Sequence, residues 1–68
     1  MNQDWKNFAD AEALENDAHY AMKEGRPSDA VEHIEKAQEL LAKVTIYDVS
    51  HAKNRLVRLK AIFTGASG

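Results

Sequence analysis

The one proline of the chain, Pro27, follows Gly25 and Arg26 in the stretch "MKEGRPSDAVEHIEKAQELL", and it separates two runs whose apolar residues recur at three- and four-residue steps. Glycine takes the left-handed backbone that a helix C-terminus prefers, and proline at the first position of a helix sacrifices no hydrogen bond. So short a break makes the two helices antiparallel neighbours. The spacing predicts one helix over 3–24, capped by Asn2 or Asp4, and a second over 27–44, with Asp29 suited to the positive end of its dipole.

Along the first helix Phe8, Ala11, Leu14, Ala18, Ala21 and Met22 form the main apolar stripe. Trp5, Ala9, Ala13 and Tyr20 fall on another side, which predicts either two packed neighbours for this helix or a partly exposed aromatic strip. The second helix carries Ala30, Val31, Ile34, Ala37, Leu41 and Val44 on one stripe, with Glu32, Glu35, Lys36 and Glu39 opposite. "VTIYDVS" is β-branched and aromatic, a modest helix former, and reads as an extended connection in which Asp48 or Ser50 caps a third helix over 49–64. Val49, Ala52, Leu56, Leu59 and Phe63 give that helix its stripe; Gly65 reads as its end and 65–68 as a flexible tail.

The expected fold is all-α: one domain over 1–64, a small three-helix bundle made of an antiparallel hairpin and a third helix. A second reading continues helix two through Tyr47 and pairs two long hairpins in a dimer. A 68-residue chain buries only about 60% of its unfolded surface. With no cysteine to form a disulfide or a thiolate metal site, tight helix packing or a homodimer must supply the remaining support.

Leu14, Ala18, Ala21, Gly25, Ala30, Ile34 and Ala37 fall at steps that resemble a tetratricopeptide repeat, in which small residues let two antiparallel helices approach closely. The resemblance covers roughly residues 14–42. Asp17, Ala21 and Ala42 depart from the leucine, tyrosine and proline that the family prefers, and only one repeat is present. Closed by "YDVSHAKNRLVRLKAIF", the hairpin also looks like a microtubule-interacting and transport domain, a three-helix bundle that takes helical peptides in its grooves. Both resemblances imply protein binding rather than catalysis.

Residues 1–40 hold ten acids against four bases, a balance of −6, while 41–68 hold one acid against five bases, a balance of +4. That asymmetry predicts a third helix complementary to the first two, or a basic face of Lys53, Arg55, Arg58 and Lys60 for an anionic partner. Such a face is the basis of the alternative function, a nucleic-acid-associated regulator. The acidic body argues against it.

Little else carries chemistry. His19, His33 and His51 sit one per predicted helix without the close pairing of a helical metal site, and the acidic pairs lack the Glu-x-x-His spacing of a di-metal bundle. The serines and glycines form neither a nucleophile with its base nor a phosphate loop. No enzyme, metal or cofactor is expected. The polar N-terminus and the absence of a long apolar run predict no membrane span and a cytoplasmic protein. The expected function is a small interaction module that binds another protein, or itself as a homo-oligomer, through Trp5, Tyr20 and Tyr47, because tryptophan and tyrosine concentrate at binding hot spots.

Overall fold

The computed structural model describes residues 3–67 and holds three helices, α1 (Gln3–Lys23), α2 (Pro27–Ala42) and α3 (Ser50–Ser67). Asn2, one of the two caps expected for α1, lies outside the described residues. At the other end of α1 the Gly25 amide donates to the Met22 carbonyl (3.1 Å) and the Arg26 amide to that of Ala21 (2.8 Å). This Schellman closure turns the chain at Gly25, whose φ of 76° suits glycine and strains other residues. The Arg26 carbonyl then accepts from Ala30 (3.1 Å), so α2 begins one residue after the turn, with Pro27 first in the helix.

α2 ends at Ala42, two residues before the expected Val44, because the Lys43 and Val44 amides turn back onto the carbonyls three residues earlier, Leu40 and Leu41. That tightening satisfies the last carbonyls and closes the helix. Residues 44–49 are non-helical, so the long-hairpin reading does not hold. α3 starts at Ser50, with the Val49 carbonyl accepting from Lys53 (2.9 Å) and Asp48 Oδ1 accepting from the Ser50 amide (3.0 Å). Of the two caps expected there, the aspartate is the one used. α3 also passes the expected stop at Gly65, which has no positive φ. A single glycine costs a helix about 1 kcal/mol relative to alanine and does not by itself end one.

α2 packs on both α1 and α3. The contacts of α3 with α1 climb in step: Tyr47 of the preceding linker lies against Phe8, Arg55 pairs with Glu15 and Phe63 meets His19. α3 is therefore parallel to α1 and antiparallel to α2, which completes an all-α three-helix bundle. The core joins Ala11, Ala18 and Ala21 of α1 to Ala30, Ile34, Ala37 and Leu41 of α2 and to Val49, Ala52, Leu56 and Phe63 of the third segment. Among the described residues twelve apolar side chains are buried and half of them are alanines, so the helices approach closely. Among the described residues no helix is long and apolar enough to cross a membrane.

Candidate functional site

The rings of Trp5, Tyr20 and Tyr47 lie on the surface, over a core half of whose buried residues are alanine. Trp5 and Tyr20 are each 65% exposed, and Ile46, Tyr47, Val57 and Ile62 are exposed with them. Of the two expectations for the second side of α1, the exposed aromatic strip is the one found.

Trp5 and Tyr47 come together. Their side chains, with Phe8, Asp48 and Val49, line a cleft of about 370 Å³ where the start of α1 meets the linker. The Phe8 and Tyr47 rings are 6.5 Å apart and inclined at 49°, a tilted aromatic contact. The linker is held there by Asp4. Its Oδ2 accepts from the Thr45 amide (2.9 Å), the Thr45 hydroxyl (3.0 Å) and the Ile46 amide (3.0 Å), across 41 and 42 residues of chain. Asp4, expected as a helix cap, thus clamps a distant loop and places Tyr47 beside Trp5.

The Thr45 and Ile46 amides hold the Asp4 carboxyl below its ordinary pKa, and the Ser50 hydroxyl and amide do the same for Asp48. For a depressed carboxylate the stabilisation is complete above the unfolded pKa and disappears as pH falls through the folded one. Thermal stability is therefore expected to drop as pH falls below about 4. In Asp4→Ala that acid limb becomes shallower while the neutral-pH helix content is retained. Melting curves followed by circular dichroism across pH check this; a parallel acid limb in both chains would remove the clamp from the account.

Tyr20 does not join the other two aromatics. It lies 15 residues along α1 from Trp5, about 22 Å at the helical rise. There it lines a second cleft of about 450 Å³ with Asn16, His19 and Lys23. Beside that cleft His19 meets the Phe63 ring edge-on at 5.6 Å.

The basic face is divided. Arg55 grips Glu15 through two bonds, Nε to Oε2 (2.6 Å) and Nη2 to Oε1 (2.8 Å), and the Glu15 side chain is only 13% exposed. Lys60 reaches Glu35 on α2 (3.2 Å). Lys53 and Arg58 are exposed and make no ion pair among the described residues. Half of the charge expected to face an anionic partner is thus spent on the acidic helices of the chain itself. Among the described residues no three His, Cys, Asp or Glu side chains gather as a metal site.

No family model, curated protein or solved structure matches this chain. The functional reading therefore rests on its own surfaces. Sequence spacing singled out the three aromatics and the four bases, but not Phe8, Asp48 and Val49 as lining of the Trp5 cleft, nor Asp4 as the clamp on its linker. The one local signal was "DVS", whose aspartate precedes a helix start.

Proposed function

We propose that the protein is a small non-catalytic interaction module that works by seating another protein, or a second copy of itself, on the face carrying Trp5, Tyr20 and Tyr47. The observation that supports this reading is that the chain's only tryptophan and both tyrosines stand exposed while half of the buried core is alanine. Exposing such rings forgoes roughly 1.5–3 kcal/mol of burial each. Tryptophan and tyrosine that remain on a surface are the usual anchors of an interface. The hairpin closed by a third helix fits the protein-binding role that the resemblances to the tetratricopeptide repeat and the microtubule-interacting and transport domain imply.

The test is capture by the tagged chain, with and without nuclease, read by mass spectrometry. One stoichiometric protein, this chain included, should survive nuclease and be lost when Trp5, Tyr20 and Tyr47 are replaced together by alanine. Those side chains are exposed enough for the helices to remain. Recovery that collapses with nuclease and with Lys53→Glu plus Arg58→Glu would replace this reading by the nucleic-acid one.

A further inference from the structure

We infer that the outer strip of α1 is covered by α1 of a second copy, laid antiparallel across a two-fold axis. This rests on the interaction-module reading and names its partner. Trp5, Ala9, Ala13, Asn16 and Tyr20 advance by steps of four, four, three and four residues, so at about 100° per residue they share one side of the helix. That side is turned away from Ala11 and Ala18, which are buried in the core.

The strip is complementary to itself. When Trp5 lies opposite Tyr20 of the second copy, Ala9 faces Asn16 and the stretch around Glu12 and Ala13 lies at the axis. Each large ring then meets the cleft at the other end of the partner strip, one beside Phe8 and Tyr47 and the other beside Asn16 and His19. The alanines between let the two backbones approach. A closed two-fold dimer requires the same patch on both subunits, and this strip meets that condition.

One opposite-charge pair fits the same register. In an antiparallel two-fold pair like flanks face one another, and Lys6 and Asp17 share the flank of α1 nearer α2. Lys6 of each copy therefore comes near Asp17 of the other. Lys6 is exposed, and its present contact is the neighbouring Asp10 (3.0 Å). On the opposite flank the two Glu12 carboxylates approach the axis as like charges, with Arg55, already paired to Glu15, as the cation on that flank.

The rings alone supply more than half of the area a specific interface needs. At 65% exposure Trp5 and Tyr20 each offer about 150 Å², so the four rings of a dimer contribute about 600 Å². The alanines, the lysine stems and Tyr47 extend this towards the roughly 1,000 Å² at which a specific interface begins.

Sedimentation equilibrium of the full chain from micromolar to millimolar concentration tests the inference, with tryptophan emission as a second readout because Trp5 is the only tryptophan. The expected result is a species of twice the chain mass whose emission moves to shorter wavelength as it forms. Trp5→Ala, with circular dichroism confirming its helices, should weaken self-association by about a hundredfold or more, since the lost anchor occurs twice per dimer. Lys6→Glu should weaken it and the double change Lys6→Glu, Asp17→Lys should restore it, a rescue that a purely structural effect would not give. A monomer at every concentration, or a dimer indifferent to both sets of changes, overturns the inference. If such a monomer still captures a different protein through Trp5, the interaction-module reading survives; if Trp5 affects neither association nor capture, both fall.

Discussion

Replacing Ile34 with alanine is expected to leave much of the chain unfolded at physiological temperature. Ile34 is one of three large side chains with almost no exposed surface, beside Leu41 and Leu56, and it lies where all three helices share the core. Its neighbours along the buried stripe of α2, Ala30 and Ala37, are already alanine. Neither of these can swing into the space, and the cost should be about 3–5 kcal/mol. A domain of this size is stable by only about 3–10 kcal/mol. Thermal and urea unfolding followed by circular dichroism checks this, with Ile34→Val, at about 1 kcal/mol, as the graded control. An Ile34→Ala chain that melts within a few degrees of the parent would show that the bundle does not depend on its few large core residues.

Arg55→Glu should destabilise the fold by about 2 kcal/mol, whereas Arg58→Glu should stay within about 0.5 kcal/mol. The two arginines are three residues apart on one helix, and their surroundings differ. Arg55 is paired through two bonds to a carboxylate that is 13% exposed, while Arg58 faces solvent without an ion-pair partner among the described residues. The Arg55 side chain itself is 44% exposed, so the pair lies between the weak surface case and the strong buried one. Charge reversal at Arg55 is therefore a test of folding, and any assay that reverses both arginines confounds lost folding with lost phosphate contact. Lys53 and Arg58 are the positions at which a nucleic-acid interface should be tested, and comparative urea titrations of the two single arginine variants establish the distinction. Equal stabilities would mean that the Glu15 contact contributes no more than solvation.

The architecture was legible wherever local chemistry decided it. Gly25 and Pro27 stop and start helices by backbone geometry alone, and the stripes ending in Leu41 and Phe63 follow from the helical period, so the hairpin and the third helix could be placed from spacing. Ends were less legible where the competing energies are small. Whether α2 stops at Ala42 or Val44 depends on amides choosing between two nearby carbonyls, and whether α3 crosses Gly65 depends on about 1 kcal/mol. Pairings across the fold were not legible at all. Nothing adjacent to Asp4 indicates Thr45, and nothing adjacent to Arg55 indicates Glu15, although the opposed charge of the two halves anticipated such pairs in kind. The division of the aromatics follows from the same limit: helical periodicity relates Trp5 to Tyr20, but only the clamped linker brings Tyr47 to Trp5.

The Asp4 clamp also has a kinetic consequence. Contacts beside the Gly25 turn of the α1–α2 hairpin are local, and local contacts form rapidly because little chain entropy is lost in closing them. The carboxylate meets Thr45 and Ile46 only after 41 residues have been folded between them, so the linker is fastened once both ends of the hairpin are in place. The aromatic corner is thus assembled only when the linker has returned to the start of α1, and the surface presented to a partner exists only while both ends of the hairpin are in place.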